Sequence, residues 1–579
     1  MNMIDIKSVA ITPPATSPER TAMPTIGRSF PTRSRKMRTR HVVRLSATAL
    51  ALAMFVGTSI PAMAVTAAKE NAATRSKPRP NPFLAAEAYA VTHFDPAQTD
   101  VMPYALPRGT FHVDLRKAPR VQAGPISIMT LATPSPRYMW AASSGGVSYV
   151  DVSDGGWREV ARLPDPDARP LPAGLLDKIL AEPLDDVARV EKAVKTDLAL
   201  DRKRISANIY VVSGKDGVLY ATNRSAVRAY GLVDPKRPEA GIKLLRTIDL
   251  KDRLTAVENA GGVMLNMTYD GHLVVGAAQS IRVLDRDFKP VGDAFQFPEG
   301  EIVSNAMAVD EKNGIYIASD KVMRKLVWTG KTLSRDAAHG AWESAYDSGQ
   351  TPMPSVKFGN GTGSTPTLMG FGDDADKLVV ITDGSDRMKL VAFWRDEIPA
   401  GFTQRPGTKS NRIADQIQVT CGLPASTPYV QSEQSVVALG YGAFVVNNIR
   451  PKGVADRLVD VLAGGPALTP AAGAERFEWD TKTKAWRSVW TRNDVVSTSM
   501  VPTVSGPSRI VFVNGYTKAD GWEVTGMDWE TGKTVHRSIF GQDNLGNGAY
   551  ALIQSLPNGD LLFNSIGGPT RVKYQATAK

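Results

Sequence analysis

One short unit recurs along this chain. A strand rich in β-branched and aromatic residues meets a Gly or Asp turn, and a second strand follows. The clearest copy is N-A-M-A-V-D-E-K-N-G-I-Y-I-A-S, from Asn305 to Ser319. Related copies are G-K-D-G-V-L-Y-A-T-N from Gly214, Y-D-G-H-L-V-V-G-A from Tyr269 and P-N-G-D-L-L-F-N-S from Pro557. A strand unit of this size cannot bury both its faces alone, and repeating it radially lets each sheet cover its neighbours. The chain is therefore expected to be all-β, a single β-propeller. Eight second strands are marked, starting near Arg137, Gly217, Gly271, Gly314, Lys377, Gly442, Arg509 and Gly559. Eight blades are expected, with seven as the alternative, since one marker could be an inserted hairpin.

The first interval between markers holds a different pattern. In L-P-A-G-L-L-D-K-I-L-A-E-P-L-D-D-V-A-R-V-E-K-A-V-K, from Leu171, apolar residues fall at helical spacing and Pro183 divides the run. This predicts a helical insertion near 171–205, placed to cap a face of the ring. The last unit has three strands. Its missing fourth is expected from Thr110 to Arg116, which would join the two ends of the ring and remove an open edge. Gly- and Pro-rich stretches from Ile398 and Pro451 are expected to run over a face.

The N-terminus predicts export. Arg33, Arg35, Lys36, Arg38, Arg40 and Arg44 precede an apolar run from Leu45, which ends at the small-x-small site Ala62-Met63-Ala64. The run is too short and Ala-rich for a span of roughly 20 apolar residues, and no later stretch suits one. Residues 1–64 are thus expected to be a signal peptide, 65–109 a flexible tether and irregular segment, and 110–579 the propeller, in a periplasmic or secreted protein. The signal carries nine Lys or Arg against two acidic residues, so the formal charge of +11 falls to +4 without it. No basic stripe with interleaved aromatics remains, and nucleic acid is not an expected partner. One cysteine, Cys421, cannot form an internal disulfide, so packing alone must hold the fold.

Two segments resemble known families. S-N-A-M-A-V-D-E-K-N-G-I-Y-I-A-S-D, ending at Asp320, resembles the strand pair of NHL-type and gluconolactonase-like propellers. In the gluconolactonase group an Asn at this place faces the channel and binds calcium, so the resemblance implies Ca2+ at Asn305. G-M-D-W-E-T-G-K-T-V-H, from Gly526 to His536, looks like the blade-docking motif of pyrroloquinoline-quinone (PQQ) dehydrogenases and their non-enzymatic relatives. Asp528, Thr531 and Gly532 match, while His536 stands where that motif has Trp.

In a propeller the first strand of each blade lines the axis. Asn208, Asn266, Asn305, Ser364, Thr365, Glu433, Gln434, Ser499 and Asn547 fall at or near those strands. Neutral oxygens with one carboxylate suit a hard cation, so Asn305, Glu433 and Asn266 are the expected metal ligands. Glu433 is the expected catalytic group, and Ser364 and Thr365 the expected substrate contacts. The competing reading is a wet channel whose polar residues bond to water. Asp373, Asp374, Asp376, Asp383 and Asp386 flank turns, and turn chemistry accounts for them without a metal. Among the histidines, His272 and His339 are the ones expected to be exposed. Trp is expected between blades; a Trp floor under a quinone is the alternative.

These readings converge on a small-molecule site at the axial channel, with calcium-dependent ester or lactone hydrolysis as the specific expectation. A non-catalytic envelope binding or scaffold protein is the second expectation, and a PQQ-dependent dehydrogenase the third.

Overall fold

The chain is described by a computed structural model covering residues 77–574, apart from 87, 123, 125–128, 154–155, 169–170, 201–206, 350–356 and 358. The expected export signal and most of the tether lie outside the described residues. No helix among the described residues is long and apolar enough to cross a membrane.

The ring is a β-propeller of antiparallel sheets, each built outward from an inner strand. Those inner strands are Met129–Ala132, Ala207–Ser213, Met264–Met267, Ala308–Val309, Thr367–Met369, Val437–Leu439 and Thr503–Ser505. They begin seven complete blades of four or more strands. Ile553–Ser555 begins a further sheet of only three. The number of full blades is thus seven, the alternative to the expected eight. The Gly559 marker starts a real strand, Leu561–Ser565, but in the incomplete sheet.

Second strands such as Gly314–Ala318 and Leu378–Thr382 are buried at every residue, because a neighbouring blade covers each face. Each apolar side chain fully buried this way contributes about 1.5–3 kcal/mol. Tryptophans tie blade to blade. Trp328 Nε1 donates to Asp270 at 3.0 Å, Trp479 to Asp376 at 2.9 Å and Trp490 to the Trp529 carbonyl at 2.8 Å.

Ring closure occurs, but not where expected. Gly109–His112 runs parallel to Thr534–Gly541 and extends the seventh blade outward, rather than completing the last sheet. The open edge of the last sheet is met ten residues later. Val121 donates to the Pro569 carbonyl at 3.1 Å and Arg571 to that of Pro119 at 2.9 Å.

The insertion is helical, with turns at Leu175–Ala181 and Val187–Glu191 continuing into Lys192–Asp197. Asp186 caps the second helix on the Arg189 amide at 2.9 Å, and Pro183 lies in the break. The stretch from Pro451 also forms a helix, Arg457–Ala463. Its first amides are held by the Asp456 carboxylate at 3.0 Å. Lys195 reaches Asp456 at 3.6 Å, so the insertion braces this second helix.

Candidate functional site: a blind cavity on the propeller axis

The channel is filled from one side by the chain's own N-terminal segment. Residues 88–102 are largely buried, with irregular backbone up to Asp100 and a short strand, Val101–Met102, lying parallel to Val504–Ser505. Their carbonyls take up the free amides of successive inner strands. Tyr89 accepts from Ala132, Ala90 from Ser213, Pro96 from Val309, Ala97 from Leu368, Thr99 from Ala438 and Asp100 from Val504, at 2.7–3.1 Å. The Tyr89 hydroxyl donates to the Ser555 carbonyl at 3.1 Å. Turning inside so narrow a ring forces left-handed backbone at five non-glycine residues, Tyr89, His93, Phe94, Gln98 and Asp100, with φ between 58° and 78°. Such conformations cost free energy and persist when their surroundings hold them.

Beyond this plug the axis opens into a cavity of about 430 Å³. It lies where the inner strands begin. Met129, Ile209, Val263, Met264, Val303 and Leu552 give it an apolar wall, and the polar groups include His93, Glu433, Gln434 and Arg457. Val257, 48 % exposed, also lines it and marks where it meets solvent. A cavity of this size, apolar with a few convergent polar groups, has the character of a small-molecule site.

Glu433 is 8 % exposed. Its amide donates to Asn448 Oδ1 at 3.1 Å, and the Gln434 side-chain amide lies 3.5 Å from its carboxyl. Burial pushes its pKa up to about 8, and the Asp460 charge adds to this against the opposing pull of Arg457, Asn448 and Lys357. At neutral pH the group is mainly the neutral acid. Lys357, behind it, is pushed down to about 7 by burial, while Asp383 and Glu433 pull the other way. Its ammonium donates to Gln431. Arg457 is half-buried on the first helical turn, and its Nη2 donates to the Lys357 carbonyl at 2.8 Å. The polar pole of the cavity therefore holds a guanidinium beside a protonated acid, an arrangement for an anion or a hydrogen-bond acceptor.

His93 is the polar group that sequence reasoning passed over. No apolar period or exposed turn singles it out; the plug carries it to the cavity. Its Nδ1 lies 3.0 Å from each carboxylate oxygen of Asp100, which is fully buried. Burial raises the Asp100 pKa, with His93 opposing.

Of the expected site residues, Asn305 and Glu433 line the cavity, as do Gln434 and Ser499. Asn305 does so with its oxygen already engaged: Oδ1 accepts from the Tyr210 hydroxyl, from Thr365 at 2.9 Å and from the Ala306 amide at 2.9 Å. Asn266 is fully buried away from it. Its Nδ2 holds the Pro96 and Met307 carbonyls at 3.2 and 2.8 Å, and its Oδ1 accepts from Met267. The expected metal set is not brought together at the cavity: the Asn305 oxygen is already engaged, and Asn266 lies outside the lining. Thr365 supports Asn305, and Ser364 shares a 2.8 Å hydrogen bond with Thr362; neither of these expected substrate contacts is in the cavity lining. Gly363 beside them reaches the cavity.

A calcium ion does not fit this site. It takes six to eight oxygens and favours carboxylates; among the described residues of the lining the one carboxyl is that of Glu433, and the Arg457 guanidinium shares the cavity with it. Nor does a quinone with three carboxylates: one arginine faces it, and no tryptophan is among the described residues of the lining.

The remaining candidates resolve into structure. Asp376 accepts from Trp479 and from Lys484 at 2.6 Å, and Asp383 pairs with Lys389 at 2.9 Å. His272 pairs with Asp270 in its turn at 3.0 Å, and His339 lies exposed beside Ser334 at 2.7 Å. Burial holds the Cys421 thiol well above its usual pKa. In the Gly526 motif, Thr531 bonds Asp528 at 3.0 Å and Gly532 lies against the Trp490 ring, so Trp490 of the preceding blade does the docking. His536 is buried, with its Nδ1 on the Pro107 carbonyl at 2.6 Å.

No protein-family model matches the chain. It is similar to an uncharacterized protein of Archaeoglobus fulgidus, 32 % identical over 345 residues. The match covers 57 % of this chain and 64 % of the relative, less than two thirds of its length. Among solved structures, a quinohemoprotein alcohol dehydrogenase from Comamonas testosteroni aligns with a TM-score of 0.45 and 11 % identity, over 85 % of this chain and 82 % of that one. A candidate 6-phosphogluconolactonase from Bacteroides fragilis aligns at 0.36 and 10 %, over 71 % and 92 %. Hydrazine synthase of Kuenenia stuttgartiensis aligns at 0.36 and 10 %, over 62 % and 93 %. The chain's own strand order makes it a β-propeller, and its distinguishing feature is a plugged axis that leaves one blind cavity.

Proposed function

We propose that this chain is an exported small-molecule-binding propeller whose site is the axial cavity. The ligand it suits has an apolar body and an anionic or hydrogen-bond-accepting end. The observation that carries this reading is the pairing within one cavity of about 430 Å³ of an apolar wall with a pole made by Arg457 and the buried Glu433. The apolar wall supplies affinity through area removed from water, and the pole fixes orientation. Export rests on the basic region, apolar run and small-x-small site that precede Val65.

The test is titration of 4-phenylbutyrate into the full-length chain, followed by calorimetry, with Val303→Trp as the blocked control. Saturable one-to-one binding that the bulky variant abolishes is expected. Binding that the variant leaves intact would place the site elsewhere.

A further inference from the structure

The cavity holds a base as well as a binding pole. The two 3.0 Å distances from His93 Nδ1 to the Asp100 oxygens fit one ring N–H shared between the two carboxyl oxygens. That contact fixes the ring's orientation and leaves the lone pair on Nε2. Among the described residues no hydrogen bond to Nε2 is formed, and His93 is one of the residues lining the cavity. A base whose far nitrogen is held by a buried carboxylate is the arrangement that hydrolytic enzymes of unrelated folds use to take a proton from a nucleophile. His93 and Asp100 both sit on left-handed backbone, at φ 64° and 58°, in a segment locked to the inner strands. The orientation is therefore set by the ring rather than by a mobile loop.

We propose that His93, positioned by Asp100, is a general base that activates water to hydrolyse a carboxylic ester with an apolar acyl group in this cavity. The proposal rests on the cavity being the ligand site. Nε2 takes a proton from water while the water oxygen bonds to the acyl carbon, and the carbonyl π pair moves onto oxygen. When the tetrahedral species collapses, the acyl C–O bond breaks, and the leaving alkoxide takes the proton from the imidazolium. Ester and water become carboxylic acid and alcohol, with no further reactant. Arg457 and the Glu433 acid share the cavity as the groups suited to the carbonyl oxygen and to the carboxylate product. His93 is the catalytic residue, and Asp100 is a positioning residue.

The experiment compares wild type, His93→Asn and Asp100→Asn in the full-length chain. Asparagine tolerates the left-handed backbone that both positions require. Hydrolysis of p-nitrophenyl butyrate is followed against pH, 4-phenylbutyrate binding is measured in parallel, and histidine-selective 15N spectra report which nitrogen of His93 is protonated. His93→Asn is expected to lower kcat by about a hundredfold or more, with a much smaller change in KM. Asp100→Asn is expected to lower kcat with little change in KM, and wild-type spectra to show the proton on Nδ1. Hydrolysis unchanged in His93→Asn, binding without turnover in wild type, or a proton on Nε2 would each overturn the proposal. Absence of 4-phenylbutyrate binding in wild type would instead remove the binding reading beneath it.

Discussion

The Tyr210 hydroxyl donates to Asn305 Oδ1, linking the second blade to the fourth across the rim of the cavity. Thr365 of the fifth blade and the Ala306 amide donate to the same oxygen. A ring of three blades thus meets on one side-chain atom, leaving it no capacity for a cation.

Calcium is accordingly expected to leave the protein unchanged. Thermal melts in chelator and in millimolar calcium should coincide for wild type. Asn305→Ala should lower stability by about 1–3 kcal/mol, the cost of leaving buried hydroxyls without their acceptor, and remain indifferent to calcium. A calcium-dependent rise in Tm that Asn305→Ala abolishes would contradict this.

Glu433 makes stability fall as pH rises. Its folded pKa, about 8, lies above the ordinary 4.5, so between these values the fold holds a proton that the unfolded chain has released. Asp95 acts in the same direction from 3.8 to about 7. Lys357, lowered to about 7, acts oppositely between there and 10.5, where the unfolded chain keeps the proton. The difference in Tm between wild type and Glu433→Gln isolates the first effect. It should move against wild type between pH 5 and 8. A constant difference would mean that Glu433 is ionised throughout.

Trp490 docks the sixth blade on the seventh through the Trp529 carbonyl and the Gly532 turn. Gly532 has φ 70°, and a β-carbon there would lie 2.7 Å from the indole. Trp490→Ala should cost about 2 kcal/mol, below the value for a fully buried Trp because this one is half-buried. Gly532→Ala should be destabilising through both backbone and ring. Denaturant melts measure both, and a neutral Trp490→Ala would remove the docking role.

The plug should be among the slowest parts of the molecule to open. The amides of Val309, Leu368, Ala438 and Val504 donate to plug carbonyls, so their hydrogen exchange should track global unfolding. Exchange within seconds would show a segment that leaves the channel readily.

The fold was legible because strand pairs with Gly or Asp turns announce themselves locally. The markers at Gly314 and Gly442 are the first residues of their strands. The helical insertion was legible too, from apolar spacing and Pro183. The plug was not, because the ring recognises it through backbone carbonyls, which impose no residue pattern. That one omission hid His93 and put ring closure at the wrong residues. Glu433 stood out as a carboxyl next to an apolar strand. Arg457 did not, because a short, largely buried helix had to carry it back over the cavity. Asn266 and Asn305 were placed near the axis, yet sequence could not show that neighbouring segments would engage the Asn305 oxygen and the Asn266 amide nitrogen.

The most direct test of the central claim is calorimetric comparison of three probes that share one apolar body: 4-phenylbutyrate, 4-phenylbutanol and 4-phenylbutylamine. An apolar cavity with a cationic pole predicts that the acid binds with roughly submillimolar affinity, the alcohol more weakly and the amine least. Arg457→Gln should erase the advantage of the acid over the alcohol. Equal affinity for all three, or preference for the amine, would contradict the account.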